Sequence, residues 1–87
     1  MNIDIYKAKI NPDPLERRYV FVRSGENIQT LPVELRETLG DLEFEKTIDM
    51  NPGEKRIALD TDEACINIQN LGYHVQKTRV EVRMSTG

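Results

Sequence analysis

Residues 18–23 read Arg18-Tyr19-Val20-Phe21-Val22-Arg23, a run that is apolar at every position between its two arginines. Successive side chains of a strand point to opposite faces, so Tyr19 and Phe21 face one way while Val20 and Val22 face the other. A strand that is apolar on both faces has to be covered on both. The run therefore predicts a central strand of a sheet.

The sequence on either side of this run predicts further strands. Residues 3–10 are rich in β-branched and aromatic side chains, which favours a strand, and the prolines that follow would end it. In the third strand Leu42, Phe44 and Ile48 alternate with polar residues, so one face should pack and the other should meet water. Three more segments read as strands by the same criteria: 56–59, 73–77 and 79–84.

The first helix is predicted over residues 30–40, because Leu31, Leu35 and Leu39 recur every four positions and so share one face. Its ends would be marked by Thr30 or a neighbour as the cap, Pro32 in the first turn and Gly40 past the last turn.

The second helix is predicted to begin after Asp60, which can cap it, with Glu63 as the return partner of a capping box. Gly72 suits the left-handed position that closes it. The apolar face predicted to meet the sheet consists of Ala64, Cys65, Ile68 and Leu71.

These elements predict an α+β fold: a small mixed or antiparallel sheet of about four strands with two short helices packed on it, in the order β-β-α-β-(β)-α-β. We expect the helices to cover one face of the sheet. Residues 1–87 should form a single domain, since no linker divides the chain, and residues 79–87 could add a further strand and a terminal tail.

The composition restricts the class of protein. The 87 residues include 12 Lys and Arg, 15 Asp and Glu, one cysteine and one histidine, for a net charge of −3. These counts exclude a disulfide-rich secreted scaffold and a zinc module built from cysteine and histidine. The basic residues are scattered, so we expect no tight nucleic-acid binding. No apolar run approaches the roughly 18 residues of a membrane helix and no signal peptide is evident, so we expect no membrane association and a cytoplasmic protein.

Five stretches follow one another along the chain between residues 5 and 78: Ile5-Tyr6-Lys7, Tyr19 to Val22, Leu31 to Leu35, Met50 to Ala58 and Leu71 to Gln76. In this order they resemble the YcgL-domain family of small bacterial proteins. The resemblance implies a small α/β domain with helices packed on a sheet, and it offers no catalytic or ligand-binding residue to carry over. Family members commonly continue from the last strand into a proline-containing segment, which residues 79–84 replace here.

Two groups of residues could carry chemistry. Asp60, Asp62 and Glu63 could hold a hard cation, but helix capping accounts for all three. Cys65 and His74 could form a nucleophile and base, but Cys65 lies on the apolar face of the second helix, where a buried thiol is inert. His74 has the opposite parity to its apolar neighbours, so it could face solvent. We predict no catalytic, metal-binding or cofactor-binding residue and no cofactor.

The aromatic residues could instead form a stacking platform for single-stranded nucleic acid. They are Tyr6, Tyr19, Phe21, Phe44 and Tyr73. Core packing is the preferred interpretation, because Phe44 shares its predicted face with Leu42 and Ile48.

Three functions stay open. We expect a non-enzymatic protein that acts through protein–protein contact, with an interaction surface on the terminal strand at Arg79, Val80, Glu81, Val82 and Arg83. The alternatives are a nucleic-acid-associated domain that uses Arg17, Arg18, Arg23 or Arg79 and Arg83, and a small enzyme of unknown chemistry. We expect a monomer, with weak self-association as the alternative, because strand edges pair readily.

Overall fold

The computed structural model describes residues 1–54 and 59–79. Its elements, in chain order, are β1 (Asn2–Ala8), β2 (Glu16–Arg23), a 3₁₀ helix (Ile28–Thr30), α1 (Val33–Leu39), β3 (Leu42–Asp49), α2 (Thr61–Leu71) and β4 (Tyr73–Arg79). They confirm the α+β class and the predicted order. The short strand predicted at 56–59 falls largely outside the described residues, as does the terminal strand beyond Arg79. Of the helices in the described ranges, none is long and apolar enough to cross a membrane.

The sheet is antiparallel throughout, with its strands in the order β3-β1-β2-β4. The central run of the sequence, β2, lies between β1 and β4. Val20 stands opposite Val75, and Phe21 opposite Ile5. Val20 is 0% exposed and Phe21 5% exposed, so both faces of this strand are covered as predicted.

A bulge interrupts the pairing of β3 with β1. Ile5 stands opposite Lys46 and Tyr6 opposite Phe44, which leaves Glu45 as an extra residue in β3. An extra residue shifts the alternation by one position, so the residues on either side of it change faces relative to a regular strand. Phe44 therefore shares a face with Tyr6, whereas Ile48 stands opposite Ile3 on the other face. The prediction that Leu42, Phe44 and Ile48 share one face is wrong for this reason.

Two separate apolar clusters cover the two faces of the sheet. On one, the α2 face, the buried residues from the strands and from α2 are Ile3, Ile5, Phe21, Ala64, Cys65 and Ile68. On the other, the α1 face, Val20 and Val22 pack with Leu31 and Leu39. The helices thus lie on opposite faces, and the expectation that both cover one face is wrong. A strand that is apolar at both parities, as β2 is, requires a cover on each side.

The helix ends agree in part with the prediction. The Asp60 carboxylate accepts a 3.1 Å hydrogen bond from the Glu63 backbone N–H, and Gly72 closes α2 in the left-handed conformation at φ +85°. By contrast, α1 begins at Val33, with Pro32 at the cap position and no side-chain capping bond. Thr30 belongs to the preceding 3₁₀ helix instead.

Candidate functional site

The cover over the α1 face ends before the sheet does. Along one row of paired residues on this face, exposure rises from Val20 (0%) through the half-buried Tyr6 to Phe44 (54%). The cluster beneath α1 takes in Tyr73 and Val75 of β4 and reaches Tyr6 of β1, whereas Phe44 of β3 is left exposed at its border. We call the part of this face around Tyr6 and Phe44, where the cover ends, the open surface.

An aromatic pair forms the apolar centre of the open surface. The rings of Tyr6 and Phe44 meet edge to face, with centroids 5.6 Å apart and planes inclined by 72°. This is a favourable aromatic geometry, so the exposed Phe44 ring is held in place by its neighbour. Leu42, two residues earlier on the same face of β3, is half-buried and packs against the α1 cluster. It links the aromatic pair to the groove beside it.

That groove runs between α1 and the start of β3 and has a volume of about 560 Å³. Arg36 and Glu37 of α1 form one wall, and Asp41 and Leu42 lie at the start of β3. The end of the groove is fixed by the backbone, because the Lys9 N–H donates a 3.0 Å hydrogen bond to the carbonyl of Asp41. The end of α1 and the start of β3 therefore form one concave surface next to the exposed ring of Phe44.

The groove carries charges of both signs. Lys9, Arg36, Glu37 and Asp41 all line it, and none of these four forms an ion pair with another residue that the structure describes. The Nη1 of Arg36 donates a 3.0 Å hydrogen bond to the neutral side chain of Gln29. Its Nε is buried and has no acceptor among the described residues. Arg36 is thus held within the groove without a charged partner.

On the side away from the groove, hydrogen-bonded polar side chains border the open surface. The carboxylate of Asp4 accepts hydrogen bonds from Thr47 Oγ1 at 2.6 Å and from Ser24 Oγ at 2.9 Å. The bond from Thr47 is the main reason that the pKa of Asp4 lies below its ordinary value, with Ser24 acting in the same direction. Asp4 thereby joins β1, β3 and the turn after β2.

The candidate nucleophile and base, Cys65 and His74, are both buried in the core. Cys65 is 2% exposed, as predicted, and burial raises the pKa of its thiol, with the nearby Asp62 charge adding to the effect. His74 does not face solvent: it is 6% exposed, because β4 presents its even positions to α2. Its Nδ1 lies 3.0 Å from Asn67 Nδ2, and its Nε2 lies 3.0 Å from Gln76 Oε1. With both ring nitrogens partnered, the imidazole is not placed to take a proton from Cys65.

The acidic residues at the start of α2 have structural partners. Asp60 caps the helix, as described above, and Asp62 accepts a 2.8 Å hydrogen bond from the Gly53 N–H. This second bond ties the turn after β3 to α2. Within residues 1–54 and 59–79 no group of three or more His, Cys, Asp and Glu side chains is arranged to hold a metal ion.

The basic residues named for nucleic-acid binding form no shared patch in the described ranges: Arg17 and Arg79 lie at the same end of the β2–β4 pair but on opposite faces of the sheet, and Arg83 lies outside those ranges. Arg18 is 8% exposed and donates to the carbonyls of Thr38 and Ile10 beneath the end of α1. Arg17 donates to the Pro14 carbonyl at 2.8 Å, at the start of β2, whereas Arg23 lies at the opposite end of that strand.

The interaction surface predicted at 79–83 begins at Arg79, the last residue of β4. The Nη1 of Arg79 lies 3.4 Å from Oδ2 of Asp13 and forms an ion pair with it. Its remaining residues, 80–83, lie outside the described ranges, so this surface stays a prediction.

Sequence reasoning missed the open surface because it assigned Phe44 to the core. The five aromatic residues divide between the two faces: Tyr19 and Phe21 pack with the α2 cluster, while Tyr6 and Tyr73 pack with the α1 cluster. A bulge at Glu45 has no clear signal in the sequence, and without it the exposure of Phe44 cannot be anticipated.

Comparison of the chain with curated proteins and with solved structures finds no match. The model of the YcgL domain matches residues 3–78. This range contains both helices and all four strands except for Asn2 at the start of β1 and Arg79 at the end of β4. The stretches noted in the sequence fall within this range, so the chain belongs to the YcgL domain family.

Proposed function

We propose that this YcgL domain is a non-enzymatic bacterial module that acts in the cytoplasm by binding another protein through the open surface. The observation that carries the proposal is Phe44, a large aromatic side chain of β3 that is 54% exposed and is held edge-on by Tyr6. Clustered exposed apolar surface bordered by polar groups is typical of protein-binding sites. Aromatic side chains are also the residues on which binding energy concentrates.

The shape of the site favours a protein over a small molecule. Small-molecule sites usually enclose most of their ligand. Here the groove is only one part of the surface, and the Tyr6–Phe44 pair beside it lies on open sheet. A partner that fills both parts has to extend from a concave groove onto a flat strand surface, which suits a protein.

The non-enzymatic part of the proposal is supported by how the reactive groups are used. His74 is bonded at both ring nitrogens, and Asp60 and Asp62 bond to backbone N–H groups. Burial of the Cys65 thiol disfavours its reactive thiolate form. Each of these groups already has a role in holding the fold together. The cytoplasmic assignment is supported by the single cysteine, which has no partner in the chain for a disulfide.

The test is affinity capture with the whole chain as bait and with two matched variants. Phe44→Ala removes the exposed ring of the open surface, while Ile66→Ala removes a similarly exposed side chain (55%) from α2 on the other face. We expect a specific protein that is captured by wild type and by Ile66→Ala and is lost with Phe44→Ala. Equal capture by all three baits would overturn the assignment to this surface. Capture abolished by nuclease treatment would overturn it in favour of nucleic-acid association.

A further inference from the structure

The charges in the groove constrain which protein can bind there. Lys9 and Arg36 supply two positive charges, Glu37 and Asp41 supply two negative ones, and none of them forms an ion pair with a described residue. A uniformly acidic partner would meet Glu37 and Asp41, and a uniformly basic one would meet Lys9 and Arg36. Like charges brought together in an interface are costly. The groove therefore complements a surface that carries both signs.

A second copy of this chain carries that pattern. In a two-fold symmetric contact the same patch is used by both subunits, so residue i meets residue j and residue j meets residue i. If Arg36 of one copy faces Asp41 of the other, symmetry supplies the reciprocal pair without any further requirement. A patch that carries charges of both signs can therefore have both satisfied by a second copy of itself.

The apolar part of the open surface fits the same arrangement. Homodimer interfaces have an apolar, often aromatic centre and a polar rim. Phe44 and Tyr6 form such a centre, and the charged groove lies along one side of it. A two-fold contact would bring two exposed Phe44 rings together and leave the charged residues around them.

We propose that the protein bound at the open surface is a second copy of this chain, which forms a reversible two-fold dimer. This inference rests on the proposed function, since it names the partner of the same site. It selects the self-association that the sequence left as an alternative to a monomer, and it places the contact at Phe44 and Arg36 instead of on the terminal strand.

Sedimentation velocity of the full chain, from about 10 µM to about 1 mM, tests the proposal, because weak reversible contacts fall within that range. We expect the weight-average mass to rise from one copy towards two. Phe44→Ala should weaken association at least about tenfold, the effect expected for an interface anchor, while Ile66→Ala should leave it unchanged. A wild-type chain that stays a monomer at about 1 mM overturns the inference.

Charge reversal gives a second, sharper test. Arg36→Glu and Asp41→Lys should each be monomeric, because like charges then face each other twice across the two-fold contact. Mixed one to one, the two variants should form a heterodimer, since the two reversed charges then face each other with opposite signs in one contact and the native Asp41 and Arg36 face each other in the other. A mixture that shows no more association than the separate variants contradicts the proposed pairing.

Folding defects can be separated from interface effects by using the wild-type protein alone. Concentration-dependent NMR shifts should be confined to the backbone amides around Phe44, Tyr6 and Arg36. Shifts at another surface would overturn the proposal. If wild type is monomeric but loses a captured protein on Phe44→Ala substitution, the dimer is wrong and the proposed function stands. If capture and association are both insensitive to Phe44, both are wrong.

Discussion

The guanidinium of Arg18 in β2 donates a 3.0 Å hydrogen bond to the carbonyl oxygen of Thr38, in the last turn of α1. A second bond, 3.1 Å long, goes to the carbonyl of Ile10 in the loop after β1. Arg18 is 8% exposed, so these carbonyls have little access to water. A cation at the carboxyl end of a helix also interacts favourably with the helix dipole. One buried side chain therefore fastens a helix and a loop to the central strand.

Replacement of Arg18 should consequently cost stability. We expect Arg18→Met to lower the free energy of unfolding by about 2–4 kcal/mol, because it leaves buried carbonyl groups without donors. Arg18→Lys should recover only part of the loss, since an ammonium group lacks the planar fork that reaches several acceptors. Urea denaturation measures both changes. The exposed Arg23→Met serves as the control and should lie within about 0.5 kcal/mol of wild type; equal losses at the two positions would contradict this role of Arg18.

The leucine positions of the helices give a second prediction. Leu39 is 3% exposed in the cluster beneath α1, so Leu39→Ala should cost about 2–5 kcal/mol, the range for truncation of a buried leucine. Leu71, in contrast, is 59% exposed at the end of α2, so Leu71→Ala should change the free energy of unfolding by less than about 0.5 kcal/mol. The midpoints of urea unfolding measure the difference. Similar losses for the two variants would mean that α2 is rotated from its described orientation.

Leu71 also shows where sequence reasoning reached its limit. Spacing alone placed Leu71 on the face of α2 with Ala64, Cys65 and Ile68, and the last three are indeed buried. The helix ends at Leu71 and turns at Gly72, however, and this last side chain is left 59% exposed. Periodicity predicts a shared face but does not predict how far the partner surface extends beneath it.

Features local in the sequence were predicted well, and features that depend on distant pairing were not. The Asp60 cap, the Gly72 closure and the two-faced strand at 18–23 each follow from a few neighbouring residues. The placement of the helices on opposite faces depends on strand order, which several patterns satisfy equally. The open surface depends on both that order and the bulge at Glu45, so the candidate site emerged only with the fold.

The hydrogen bonds to Asp4 predict a dependence of stability on pH. The folded-state pKa of Asp4 is lowered, chiefly by Thr47, so the unfolded chain binds a proton more readily than the folded one does. The stabilisation is present above the unfolded pKa and is lost as the pH falls through the folded pKa. Asp4→Asn should therefore be less stable than wild type near neutral pH, and the difference should shrink towards acid pH. Thermal melts from about pH 2 to about pH 7 measure it.

Asp41→Asn is the control for this experiment, because Asp41 contacts β1 only through its backbone carbonyl and no residue in the described ranges donates a hydrogen bond to its side chain. A gap between wild type and Asp4→Asn that stays constant across the pH range would contradict the prediction, since a pH-independent loss reflects packing and not proton linkage.

The final prediction concerns deletions and follows from the bulge in β3. From Leu42 to Asp49, β3 supplies one residue more than β1 needs between Asn2 and Ala8, and Glu45 is that surplus residue. Its removal leaves Phe44 opposite Tyr6 and Lys46 opposite Ile5, so every other side chain keeps its face. We expect the Glu45 deletion to fold cooperatively, with a loss of no more than about 1–2 kcal/mol from the altered strand twist. Deletion of Val20 from β2 is the matched control: that strand pairs without a bulge with both β1 and β4, so the loss moves either Arg18 and Tyr19 or Phe21 and Val22 to the wrong faces and should abolish folding. Circular dichroism melts and the dispersion of amide NMR signals distinguish a folded chain from an unfolded one. An unfolded Glu45 deletion would show that the bulge itself is required for the fold, and a folded Val20 deletion would mean that the register of β2 is less strictly set than its burial implies.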